Sequence, residues 1–505
     1  MNNKKHNKIL FSKAKDYFNS RDYASSATCL IDYLGKFPDD IKGIILLGRV
    51  LSGMHYYNKA EEAFNVALKN DQNNFSARFY LGALWIRMGH YSKAEKLYRQ
   101  LLKTKHEDSL PLIINLVQAL GRQGKYDEAQ EWLLMPIVTS SKDPFFIVAR
   151  AEMCLIRGEF ENAYLLVKKI KISDPEVILE SDIDEQKKLN DAYISVLFIR
   201  ANYHHHYGEY DKSFLLYNAA HSVQKSIYGC YDFPSMERNL KSDIKIYENI
   251  KPKLLKFEKL DYTPVFIVGM PRSGTSLLHQ MLDMHTQIVG LGELSEIPEI
   301  ATKIRSSEFI ESDSYESTYI LRKAYIDYCA SLVNDFCFQV MIDKLPHNFL
   351  YIGTIMLLFP ESKIIFCERD ALDNCLSIYQ QNMTGDHSYS HDFDQLARFY
   401  CFSQYALEQW KLLFEKNILI VRYEEMVKSP EKKLRCVLDF LGLPYEDSCL
   451  NVHLNKNIIN TSSRHQVQQP IYDSSINKWQ KYSGNLGNLK ENIDRYKEFY
   501  LTFYE

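Results

Sequence analysis

The chain has 505 residues, enough for at least two domains with separate cores. Its net charge of −3 leaves no basic field to draw in nucleic acid or an anionic bilayer. No apolar run approaches the roughly 20 residues of a membrane span. The basic start, Met1 to His6, leads into Lys13, Lys15 and Asp16 rather than an apolar secretion signal. Ten cysteines are scattered without C-x-x-C pairs, the pattern of reduced thiols. A cytoplasmic location, with no nucleic-acid partner and no membrane span, is the expectation.

Between residues 10 and 220 one pattern recurs: glycine or a polar residue, then an aromatic, then a small residue three positions on. The aromatics are Tyr23, Tyr57, Tyr91, Tyr126, Phe160 and Tyr210, at spacings of 34, 34, 35, 34 and 50. Their small partners are Ser26, Ala60, Ala94, Ala129, Ala163 and Ser213, and Gly48 and Gly82 stand nine residues before two of the aromatics. Small residues let two helices close on each other while the aromatic packs across the turn, so each hairpin buries its face against its neighbours. This resembles the tetratricopeptide repeat (TPR), a helix-turn-helix of 34 residues. The resemblance implies an all-α solenoid, expected over residues 1–250, whose concave face takes a protein or peptide. The long last step leaves 16 extra residues, with the acidic stretch 173–188 as their expected home. His204, His205 and His206 fan over about 200° of a helix, too wide to converge on one metal.

From about Tyr262 strands alternate with helices, the texture of an α/β domain with a parallel sheet, expected over residues 251–505. Val265–Val268 is a short apolar strand pattern, Gly269 opens a loop that closes at Gly274, and Leu277, Leu278, Met281 and Leu282 follow at helical spacing. Strand, glycine-bounded loop and helix N-terminus together make an anion cradle. The loop resembles the nucleotide-triphosphate loop G-x-x-x-x-G-K-[ST], but Thr275 replaces the lysine and Arg272 sits inside. Such a site is poorly suited to a magnesium-bound triphosphate and suits a 5′-phosphate carrying a transferable anion. Further strands are expected at 340–342, 363–369 and 418–421, with polar residues at their C-terminal ends, where ligands of parallel sheets bind. Arg369 ends one of them and Ser377 follows two helical turns later, a pair able to grip a second phosphate.

Pro271-Arg272-Ser273-Gly274-Thr275-Ser276 after an apolar strand resembles the phosphosulfate loop of sulfotransferases that use 3′-phosphoadenosine-5′-phosphosulfate (PAPS). Over residues 262–480 the chain is similar to the tyrosylprotein sulfotransferases and to bacterial TPR-sulfotransferases. That resemblance implies a P-loop-like fold and transfer of a sulfuryl group from PAPS to an acceptor hydroxyl, with no metal. It implies Glu293 as general base, Lys344 and Ser463 as stabilisers of the leaving charge, and Arg272 as part of the catalytic set. Arg272, Ser273, Gly274, Thr275 and Ser276 would hold the phosphosulfate, and Arg369 and Ser377 the 3′-phosphate. Tyr423, Gln466, Val467 and Lys478 would complete the nucleotide site, with Gln466 to Trp479 as a lid.

Three positions depart from the animal members of that family. Gly290 and Ile342 stand where those have a cysteine pair, Gln381 replaces an arginine supporting the 3′-phosphate, and Ser295 and Glu299 replace two arginines that face acidic peptides. The acceptor stays open between protein tyrosine, glycan and other alcohols. A TPR scaffold with a silent second domain, and a P-loop small-molecule kinase, are the alternative readings.

Overall fold

The computed structural model of the chain describes all residues except 1, 21, 55, 105–108, 142, 171–182, 251–256, 307–313, 334–336, 384–386, 456–470, 504 and 505. Two compact units divide it, Met1–His206 and Tyr207–Glu505. Much of the stretch expected to hold the 16 extra residues lies outside the described residues.

The first unit is a run of helical hairpins. The second helix of each begins on the repeat's aromatic: Tyr23–Leu34, Tyr57–Asn70, Tyr91–Leu102, Tyr126–Leu133 and Phe160–Val167. Their first helices are Asn2–Asn19, Ile41–Gly53, Phe75–Arg87, Ser109–Arg122 and Pro144–Ile156. Side chains placed for capping start several of these, as Asp40 accepts from the Gly43 N–H and Asn74 from the Ala77 N–H. Ser26, Ala60, Ala94, Ala129 and Ala163 are all 0% exposed, which is the close helix approach the repeat pattern requires. A Cβ on Gly48 would stand 2.7 Å from the Phe64 ring, and one on Gly82 2.6 Å from that of Tyr98. His206 stacks on Phe160 at 4.1 Å while His204 meets Tyr164 edge-on.

The second unit is built on a five-stranded parallel sheet in the order β2-β3-β1-β4-β5. The strands are β1 (Thr263–Gly269), β2 (Ile288–Gly290), β3 (Val340–Lys344), β4 (Lys363–Glu368) and β5 (Ile418–Arg422). β1 is central, with Ile267 beside Lys344 of β3 and Gly269 beside Cys367 of β4. Val265 to Val268 are fully buried, as a strand covered on both faces must be.

Helices Tyr210–Tyr228 and Phe233–Ile250 group with this sheet, so the compact units divide at 206/207 where the sequence boundary was expected at 250/251. The physical reason is a set of specific bonds. His221 Nε2 lies 2.7 Å from the Tyr379 carbonyl, Arg305 forks onto Asp243 at 2.6 Å twice, and Tyr500 donates to Glu237 at 2.6 Å. The sixth aromatic, Tyr210, again opens its helix, and Ser213 is again fully buried, there beside the Tyr482 hydroxyl at 3.1 Å.

Candidate active site

All five strands deliver a polar residue at their C-terminal ends. β1 leads into the loop carrying Arg272, β2 is followed by Glu293, β3 ends on Lys344, and β4 and β5 are followed directly by Arg369 and Tyr423. This is the edge of a parallel sheet where loops and helix N-termini converge, with β1 flanked by strands that come later in the chain on both sides.

The loop turns on unusual backbone. Gly274 has φ +99° and caps the helix Thr275–Asp283, and a Cβ there would stand 2.7 Å from Tyr423 Cδ2. Arg272 itself has φ +67°, a conformation that side-chain-bearing residues adopt at a cost. That turn buries its guanidinium, whose Nε donates to Ser377 Oγ at 3.2 Å. Arg369 Nη1 donates to the Arg272 carbonyl at 3.1 Å, its Nη2 to the Ser475 carbonyl at 2.7 Å, and its guanidinium lies 4.7 Å over the Tyr423 ring. Ser273, Thr275 and Ser276 are buried around the same turn. The structure therefore brings Arg272, Ser377, Arg369 and Tyr423 into direct contact.

Lys478 joins this group electrostatically. Burial, then the neighbouring Arg272 and Arg369, push its ammonium down to about 8. Burial and Arg369 push Arg272 down to about 10. Three cations near enough to disfavour one another's charge are complementary to a multiply charged anion. Buried donors remain unmatched as well: Ser273 Oγ and Arg369 Nε have no hydrogen-bond partner among the described residues. Ser463, Gln466 and Val467 lie outside the described residues.

Glu293 and Lys344 form a second group. The chain beyond β2 keeps pairing with β3, since the Leu291 N–H donates to the Ile342 carbonyl and the Lys344 N–H to the Gly292 carbonyl, both at 2.8 Å. Those bonds set Glu293 beside Lys344, and the two side chains form an ion pair. Lys344 is 0% exposed whereas the Glu293 carboxylate is 32% exposed, so one end of the pair faces water.

Sequence reasoning overlooked the groups packed around this pair. His279, on the loop helix, is buried with both ring nitrogens unpartnered among the described residues, and burial and Lys344 push it down to about 4. Gly290 and Ile342, the departures from the cysteine pair, are register neighbours across β2 and β3. A Cβ on Gly290 would meet His279 Nε2 at 2.4 Å, so the histidine occupies the space a side chain there would need. Beneath the pair, Asp343 accepts from the Tyr325 hydroxyl at 2.9 Å. Burial raises Asp343 to about 8, with Glu296 adding to the shift, and burial raises Glu296 to about 7, with Glu299 adding to that one. Asp373, on the helix Ala371–Tyr379, accepts from the Asn477 and Trp479 N–H groups at 2.6 and 2.8 Å. An acid one turn before Ser377 on the same helix face was the available signal for it.

Comparison with known proteins agrees with this geometry. Residues 264–447 match the sulfotransferase family. A protein of Aquifex aeolicus described as uncharacterized is 29% identical over 364 residues, 65% of this chain and 47% of that protein. Protein-tyrosine sulfotransferase A of Caenorhabditis elegans is 27% identical over 245 residues, 45% of this chain and 62% of that protein. The chain thus spans about half to three-fifths of the length of these curated relatives. Among solved structures, the sulfotransferase domain of the Synechococcus PCC 7002 olefin synthase is 20% identical, with a TM-score of 0.35 over 49% of this chain and 98% of that one. The resemblance to sulfotransferases, with protein-tyrosine sulfotransferases among its relatives, is borne out. So is the fold class, helical repeats followed by a parallel α/β domain.

Proposed function

We propose that the chain is a sulfotransferase that moves the sulfuryl group of PAPS to a hydroxyl of an acceptor. The observation that carries this reading is the cluster of buried Arg272 and Arg369 with half-buried Lys478 around a loop with unmatched donors and no loop lysine. In this reading Arg272 to Ser276 hold the phosphosulfate, Arg369 and Ser377 hold the 3′-phosphate, and Tyr423 backs the nucleotide. Gln466, Val467 and Lys478 belong to the segment that closes over it.

Glu293 takes the proton of the acceptor hydroxyl as that oxygen attacks sulfur in line. The bond between sulfur and the bridging oxygen breaks, and its electron pair stays on the 5′-phosphate of 3′-phosphoadenosine-5′-phosphate (PAP). Lys344 and Ser463 stabilise charge that grows on the bridging oxygen and the sulfonate. The ion pair of Lys344 with Glu293 gives the lysine a second role. Once Glu293 is protonated it no longer holds the ammonium, which is then released toward the leaving oxygen. Two acids, Glu296 and Glu299, open the helix behind the base, with Ser295 preceding them. That composition favours an acceptor without flanking acidic residues.

The test is transfer of labelled sulfuryl from PAPS to a panel of tyrosine peptides, glycans and simple alcohols. Glu293→Ala is expected to abolish transfer while PAP still binds. No transfer to any acceptor class together with no PAP binding would overturn the proposal. Among the described residues no helix is long and apolar enough to cross a membrane.

A further inference from the structure

The helix Ala371–Tyr379 ties two separate segments together through one of its edges. Toward the loop, Asn374 Nδ2 donates to the Pro271 carbonyl at 3.0 Å, and Ser377 accepts from Arg272. Toward residues 475–479, Asp373 Oδ2 accepts the Asn477 N–H at 2.6 Å and Oδ1 accepts the Trp479 N–H at 2.8 Å. Arg369, just ahead of the helix, reaches both, through the Arg272 carbonyl and the Ser475 carbonyl.

Asp373 is 2% exposed although it stands in the first turn of its helix, where a carboxylate normally caps the N-terminus or faces water. Capping is already performed by Asp370, which accepts from the Leu372 and Asp373 N–H groups. Burying a second carboxylate is costly unless partners compensate it. Its partners are two main-chain N–H groups of the strap formed by residues 475–479, and each oxygen takes one. Asn477, the first of the two donors, has φ +56° and is one of two side-chain-bearing residues with positive φ among those described; the other is Arg272. The strap is thus bent at the residue directly before Lys478. The kink is held from below by the carboxylate.

We propose that Asp373 is a positioning residue of the nucleotide site: its carboxylate fixes the strap Ser475–Trp479 and thereby presents Lys478 to the cations of the loop. Asp373 touches no reacting atom in this scheme. It sets the backbone from which Lys478 projects, while Arg369 joins the same strap to the loop that grips the phosphosulfate. Strap closure and grip on the anion become a single event, because one short segment, residues 369–377, makes both sets of bonds. This role rests on the PAPS reading above, whereas the anchoring itself does not.

The test uses the full chain and two variants, Asp373→Ala and the volume-conserving Asp373→Asn, with two readouts. Without nucleotide, hydrogen exchange at the Asn477 and Trp479 amides should quicken about 10-fold or more in Asp373→Ala, since their acceptor is gone, and by less in Asp373→Asn, which keeps one acceptor. With nucleotide, PAP affinity should fall roughly 10- to 100-fold in Asp373→Ala, the scale of lost hydrogen bonds to a charged group. Adding Lys478→Met to Asp373→Ala should then cost little more, although Lys478→Met alone weakens binding clearly. Unchanged exchange at the two amides, or losses that simply add, would overturn the proposal. Quickened exchange in a chain whose wild type binds no PAP would leave the anchor standing and remove its link to a nucleotide, along with the PAPS reading.

Discussion

Replacing Glu293 by glutamine separates two consequences of one ion pair. The Lys344 ammonium is fully buried and Glu293 is its hydrogen-bonding partner among the described residues. A hydrogen bond to a charged group contributes about 1.5–3 kcal/mol. The carboxylate is one-third open to water, which places the loss near the lower end of that range. In a unit of this size that corresponds to a fall of roughly 2–6 °C in melting temperature. Removing a general base lowers turnover roughly 10²- to 10⁴-fold. The double variant Glu293→Gln with Lys344→Met leaves no unpaired buried ammonium, so it should melt above the single variant while staying inactive. Scanning calorimetry of the full chain and a sulfuryl-transfer assay read the two effects. Wild-type turnover in Glu293→Gln, or a double variant less stable than the single, would refute the reasoning.

Three further outcomes follow from the same residues. Lys478, pushed down to about 8 by burial and by Arg272 and Arg369, should take up a proton when an anion binds, so PAP affinity falls as pH rises through 8. Calorimetry in buffers of different ionisation enthalpy measures that proton, and Lys478→Met should abolish it. Asp343 is raised from 3.8 to about 8, so its contribution is fully present below 3.8 and is lost as pH rises to 8. Asp343→Asn, which can still accept from Tyr325, should therefore melt above wild type beyond pH 8 and level with it near pH 4. An equal deficit at all pH values would contradict the burial account. Gly274→Ala places a methyl against Tyr423 at a left-handed position and should cost about 1–3 kcal/mol, read as a lower melting temperature together with weaker PAP binding.

The repeat half was legible to the residue, because an aromatic and a small residue at fixed spacing are the packing contact itself. Each predicted aromatic opens a helix, and each predicted small partner is fully buried. Four strands were legible as short apolar runs, while β2 was not, since three residues, Ile288 to Gly290, carry no periodicity. The unit boundary was hidden for a different reason. Tyr210 and Ser213 continue the repeat pattern, but what their helix packs against is decided by distant partners such as Tyr379 and Tyr482. Within the site, Arg272, Ser377, Arg369 and Tyr423 come into contact, and Glu293 pairs with Lys344 in a second group, both at the C-terminal edge of the sheet. Asp373 and His279 escaped notice, as did the burial of Glu296 and Asp343, because a single polar letter in the sequence does not disclose burial.

The central claim is that the loop and β4 edge grip a nucleotide carrying a 3′-phosphate. Thermal stabilisation of the full chain by PAP, compared with AMP and with ATP–magnesium, tests it most directly, because a ligand bound only by the native state raises its melting point. The account predicts a clear rise with PAP, little with AMP, and loss of that difference in Arg369→Ala. Equal responses to PAP and AMP, or a response to ATP–magnesium alone, would contradict it.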